Sequence, residues 1–328
     1  MHRFAQLGNT ITMKMPTDEK GLAGRQCPNP ACGKYFKLKS GTGLKGEDLP
    51  CHCPYCGFVA GSDEFTTPEQ MEYVKAITMN HVSNEIHRML KRMEFDHKPR
   101  GAFGIGISMK VTGGPQRFHY SYREKELETD VVCDQCTLVY AIYGAFAFCP
   151  DCGSHNSFTI LGKNLELAEK LLALAATQER EMAEHLVGDA LENVVSAFDG
   201  FGRELCRVAA PKATNPSDAE DVRFQNLIGA RARVQRLFGF DITTYVTVPD
   251  WEFACRCFQK RHLLAHKMGV IDDDYLQATK DRAAVVGRKL QITPEEVKRL
   301  IDVIRQLGGK LAAQLLPPPA SSLPKQGT

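Results

Sequence analysis

Apolar positions along the chain change their period near residue 165. Upstream, Thr67–Phe95 carries Met71, Val74, Ile77, Val82, Ile86, Met89 and Leu90 at helical spacing, with Thr67-Pro-Glu-Gln as cap and first turn. Short β-like runs occupy Asn9–Met15, Ile105–Thr112 and Phe118–Tyr122, and the β-branched and aromatic stretch Val131–Phe148 predicts a hairpin. Downstream, helical periodicity dominates. Leu165–Phe198 predicts a single helix of roughly 50 Å, with an apolar stripe from Leu172 through Ala175, Met182, Leu186, Leu191 and Val195 to Phe198, stopped at Gly200. Pro211–Pro216 breaks the chain, and Asp218–Phe238, Pro249–Lys267 and Pro294–Leu316 predict three further helices. Thr293 and Glu296 form a capping box for the last, and Gly269 closes the one before it. The tail PPPASSLPKQGT reads as disordered.

Composition adds bounds. The 328 residues are 43% hydrophobic and 24% charged, which fits two or three globular domains and excludes a collagenous or wholly disordered chain. Apolar runs such as Leu171–Ala176 are far too short to span a membrane, and the N-terminus lacks the apolar core of a secretory signal. The expected compartment is therefore the cytoplasm.

Cysteine spacing carries the most specific chemistry. Eight of the twelve cysteines fall into four pairs: Cys27 with Cys32, Cys53 with Cys56, Cys133 with Cys136, and Cys149 with Cys152. Two thiolates a few residues apart grip one face of a Zn²⁺ tetrahedron, and a second pair a dozen or more residues on closes it. A reducing compartment disfavours disulfides between them. Both halves resemble the zinc-ribbon family, which implies two structural zinc ions and no catalytic metal. Cys51, two residues before Cys53, is the alternative ligand in the first site; Cys53 is preferred because it completes the Cys-Pro-Tyr-Cys-Gly knuckle. Cys206, Cys255 and Cys257 have no second pair and read as buried thiols. With eight thiolates and two zinc ions, the formal charge of +2 falls to about −2, so whole-chain charge does not point to a nucleic acid.

A local cluster does. Between Phe253 and Ile271 there is no acidic residue, while Arg256, Lys260, Arg261 and Lys267 accompany His262 and His266. Arg231, Arg233 and Arg236 add charge on the preceding helix, and together these cations suit a phosphate backbone. The segment Arg261-His-Leu-Leu-Ala-His266 and its exit HKMGVIDDDYL resemble the HEPN family of all-helical domains. The resemblance extends to the helical order of residues about 165–316. It implies a metal-independent endoribonuclease that works as a homodimer, with Arg261, His262 and His266 as the catalytic set. The spacing alone is weak, since Arg92 and His97, and Arg180 and His185, stand equally far apart. Five helical residues rotate Arg261 and His266 about 140° from each other. The triple Asp272, Asp273, Asp274 reads as a solvated turn.

The expected architecture is α+β and multidomain. A zinc ribbon spans 1–62, a mixed α/β segment spans 63–162 and holds the second ribbon at 131–155, and a HEPN-like helical bundle spans 163–316, ahead of the tail 317–328. The expected function is an endoribonuclease of the toxin, stress or anti-phage type, acting on RNA, with ribbons that bind or sense a nucleic acid or a protein trigger. The competing expectation is a non-catalytic zinc-ribbon scaffold that dimerises through its helices.

Overall fold

A computed structural model describes residues 15–44, 50–97, 107–120 and 122–316. The chain is mixed α+β, with small sheets and a helical C-terminal part. Residues 9–14 of the first expected strand and the tail from 317 lie outside the described residues. Two compact units are seen, one comprising Met1–Cys53, Phe58–Val132 and Thr137–Gly144, the other Pro54–Gly57, Cys133–Cys136 and Ala145–Thr328. Among the described residues no helix is long and apolar enough to cross a membrane.

The first unit is built on a four-stranded antiparallel sheet. Its strands are β1 (Ala23–Gln26), β2 (Tyr35–Leu38), β7 (Thr129–Val132) and β8 (Val139–Ile142), in the spatial order β1-β2-β8-β7. The central strands β2 and β8 are buried at three of four positions, whereas the edge strand β7 alternates half-buried and exposed, as one wet face requires. Phe36 and Phe65 meet edge to face at 5.8 Å in this core, with Tyr140 and Ile142 buried alongside. The β2–β8 register pairs Lys37 with Ala141 and Leu38 with Tyr140, so one sheet joins strands from both cysteine-bearing segments. Two short ladders complete the strands: β3 (Cys51–His52) with β4 (Val59–Ala60), and β5 (Phe95–His97) with β6 (Ile107–Met109). Among the described residues of the expected strand Phe118–Tyr122 none is in a strand; Asn80 instead bonds both the N–H and the carbonyl of Phe118. Helix α1 (Pro68–Arg92) starts where predicted, with Thr67 and Gln70 closing its capping box.

The second unit is helical. The expected long helix from Leu165 is two, α2 (Ser157–Ala175) and α3 (Arg180–Ala209). Folding back at Thr177–Glu179 lets Leu161, Leu165, Ala168 and Leu172 share one core with Val187, Leu191, Val194 and Phe198. A straight helix would leave half of that stripe in water. Gly200 does not end α3, which runs nine residues further. Gly202 matters more: a methyl group there would collide with the fully buried ring of Phe224. Asp199, itself buried, accepts the N–H groups of Phe224 (2.6 Å) and Gln225 (3.2 Å). That anchor turns the segment expected as a single helix at Asp218–Phe238 into α4 (Pro216–Glu220), a loop, and α5 (Leu227–Phe238).

Helix α6 (Val248–Lys267) buries Trp251, Ala254, Cys257 and Phe258 in the same core. It ends on left-handed Met268, one residue before the expected glycine. Helix α7 (Asp273–Thr279) follows, N-capped by Asp272, which accepts from the Tyr275 N–H at 2.9 Å. The triple aspartate is thus a helix start. Helix α8 (Pro294–Leu315) carries the Thr293/Glu296 capping box as expected.

The Cys149/Cys152 knuckle is tied to α3 by a buried polar contact. His155, edge-on to Phe148 at 4.7 Å, bonds Glu204 at 3.1 Å, and Arg207 reaches both oxygens of Glu204 at 2.7 Å. Burial alone would raise the Glu204 carboxyl, but the Arg207 guanidinium and the His155 ring outweigh it and hold it at about 2. Because the folded value lies below the unfolded one, this contribution is complete above about pH 4.5 and disappears as pH falls toward 2. Glu204→Gln is expected to destabilise the protein at neutral pH and to flatten its acid-side loss of stability. Urea unfolding of both proteins between pH 3 and pH 6 measures the difference; parallel curves would contradict it.

Candidate metal centres and the cationic helix end

Two groups of four sulfurs come together: Cys27, Cys32, Cys53 and Cys56, and Cys133, Cys136, Cys149 and Cys152. Within each group the ligand atoms lie within 4.8 Å of one another. Sulfurs held at about 2.3 Å around one tetrahedral ion stand about 3.8 Å apart. The observed separations fit: 3.8 Å for Cys32–Cys53, 3.6 Å for Cys133–Cys152 and 3.5 Å for Cys136–Cys149. Each group therefore has the geometry of a structural metal site with no position left open. Cys53, not Cys51, joins the first group; Cys51 sits in strand β3. All four residues of the second group are buried.

The knuckles share a backbone device. The residue after the second cysteine of each pair has a positive φ: Gly33 (56°), Gly57 (71°), Thr137 (63°) and Gly153 (69°). Three glycines adopt this at no steric cost, but a β-branched threonine does not. Thr137 is the departure in the pattern, and it was visible in the sequence as the one knuckle without a following glycine.

Burial sorts the remaining cysteines. Cys206 and Cys257 are buried, and loss of solvation pushes each thiol up to about 12. Cys255 is half-buried and raised for the same reason to about 11.

At the cationic helix, carboxylates from other elements answer most of the charge. The Arg261 side chain is 12% exposed, and its Nη2 donates to Glu192 of α3 at 3.2 Å. Its Nε is buried and has no acceptor among the described residues. Lys260 is buried, with Nζ bonded to Glu296 (2.7 Å) and to the Gln291 carbonyl (3.0 Å). It is therefore withdrawn from the surface expected to meet phosphate, because a buried ammonium must be paired. Arg231 grips Asp241 through Nε and Nη2, and this guanidinium holds the Asp241 carboxyl at about 2. Arg236 pairs with Asp218 (3.1 Å), Arg233 donates to the Asp221 carbonyl (2.9 Å), and Lys267 lies 3.7 Å from Asp272. Arg256 is half-buried. The expected basic face is thus largely neutralised.

The imidazoles are different. His262 and His266 are both exposed, and their ring centroids stand 4.7 Å apart at an interplanar angle of 53°. They lie four residues apart and share one helix face, whereas Arg261 points elsewhere, as the five-residue rotation requires. Leu263, between them in sequence, is buried against Ile271 and Tyr275 in a small second core beneath the helix exit. Glu192 and Glu296 went unseen as partners in the sequence, since nothing local marks either as facing α6.

Thr137→Gly should relieve the left-handed strain and raise stability by about 0.5–1 kcal/mol after the entropy cost of glycine. Cys149→Ser should leave one metal equivalent per chain in place of two. Thermal unfolding with elemental analysis of the same samples checks both; a destabilised Thr137→Gly protein would contradict the strain reading. Searches against family models, curated proteins and solved structures find no match to this chain.

Proposed function

We propose that the chain is a metal-independent endoribonuclease of the HEPN type, of the toxin, stress or anti-phage class. The observation that carries this reading is the pair of exposed imidazoles that share one face at the end of α6. Cleavage of RNA without a metal needs a base for the 2′-OH, an acid for the leaving group and positive charge near phosphorus. One imidazole of the His262/His266 pair takes the 2′-hydroxyl proton as the oxygen bonds to phosphorus. The P–O5′ bond then breaks, and the other ring, protonated, gives its proton to the departing 5′-oxygen. The products are a 2′,3′-cyclic phosphate and a 5′-OH end. In the groove that two protomers share, Arg261 of the partner subunit supplies positive charge to the phosphorane. A homodimer through the helical unit sets two such helix ends across a shared groove.

The two sulfur sites hold zinc in this reading, since a closed set of four thiolates matches that ion's tetrahedral preference. They staple the ribbons that engage a nucleic acid or a protein trigger in the reducing cytoplasm. A specific observation favours a second reading, a zinc-ribbon scaffold without catalysis: the cations of α5 and α6 are mostly engaged by carboxylates and carbonyls of the chain itself.

RNA incubated with the protein in excess EDTA separates them. The nuclease reading expects 2′,3′-cyclic ends from the wild type and a rate lower by about 10²–10⁴ in His266→Ala and in His262→Ala. Cleavage unchanged in both variants, or none from the wild type, overturns it.

A further inference from the structure

The same helix end has the makings of a metal site of its own. The chain has ten histidines, and His262 and His266 are the sole two that stand four residues apart. On a helix this spacing puts both rings on one face. Metal–nitrogen bonds of about 2.0–2.1 Å meeting at about 90–109° place two imidazole centroids about 4.5–5.2 Å apart. The observed 4.7 Å falls within that interval with no movement of the backbone. Both rings are exposed, so an ion reaches them from solvent and completes its shell with water.

A cationic helix would ordinarily repel a dication. Here the repulsion is offset: Arg261 faces Glu192, Lys260 faces Glu296, and Lys267 lies 3.7 Å from Asp272. His266 also belongs to the last turn of α6, where the carbonyl end of the helix dipole favours positive charge. Neutral imidazole suits zinc, nickel and copper and discriminates against magnesium and calcium.

We propose that His262 and His266 form a third, exposed metal site for one divalent transition cation, zinc in the first instance, and that filling it silences the RNA cleavage assigned above. The regulatory half rests on that assignment; the binding half does not. Each ring that ligates zinc gives up the lone pair with which it would accept the 2′-hydroxyl proton, and a ligated ring has no proton to pass to the leaving oxygen by that nitrogen. Micromolar zinc therefore acts as a brake on the site. The two sulfur groups stay filled throughout, because four thiolates outcompete two imidazoles for this ion.

Isothermal titration of zinc into protein already carrying metal in both sulfur groups tests the binding. One further equivalent per chain is expected, weakened at least about tenfold in His262→Ala and in His266→Ala. His81→Ala, an exposed histidine of α1 in the other unit, should bind as the wild type does. No third equivalent, or an affinity unchanged in both α6 variants, overturns the site. RNA cleavage measured over the same zinc range should fall at least tenfold as the third equivalent binds. An active enzyme that keeps its rate with the site filled overturns the brake. A chain that binds the third zinc yet cleaves no RNA in zinc-free buffer loses the nuclease reading and keeps the metal site.

Discussion

Burying a cation next to a hydrophobic core is tolerable when a carboxylate from elsewhere in the fold meets it, and α6 illustrates how much follows from that requirement. Lys260 lies under the start of α8, where Glu296 serves two partners: one oxygen accepts the Thr293 N–H of the capping box, the other the Lys260 ammonium. Arg261, the next residue along, reaches Glu192 of α3. Two ion pairs thus tether one helix to two neighbours, and they fix its rotation. Given that rotation, Cys257 and Phe258 face the core while His262 and His266 face water. The chemistry available at the helix end is a consequence of where the charges were neutralised.

Legibility in the sequence followed the range of the forces involved. The capping boxes at Thr67 and Thr293, and the sulfur pairs of each knuckle, act over a few residues, and both could be read directly. The break between α2 and α3 could not. Thr177-Gln178-Glu179 contains neither glycine nor proline, and the turn exists because two apolar stripes bury each other once the chain reverses. Long-range strand pairing was equally hidden: β2 meets β8 about a hundred residues later, through a register that no local pattern encodes.

The candidate site shows the same division. An acid-free stretch from Phe253 to Ile271 looked like a free basic surface because the neutralising groups lie 36 and 69 positions away, on other helices. Charge read along a chain is an upper bound on charge presented to a partner. The two histidines stay exposed on one face, since a spacing of four on a helix is a local property. Thr137 belongs with it: a threonine in the left-handed region, where the other three knuckles carry glycine, is a strain that sequence comparison within the chain already exposes.

A double-mutant cycle on Lys260 and Glu296 tests most directly whether tertiary carboxylates set the charge and orientation of α6. Glutamine at 296 still accepts the Thr293 N–H, so the capping bond is retained while the charge is removed. Glu296→Gln is expected to destabilise by about 2–4 kcal/mol, and combining it with Lys260→Met to recover most of the loss, because no buried charge is then left unpaired. Strictly additive single and double effects would show that the pair contributes nothing and that some other constraint orients the helix.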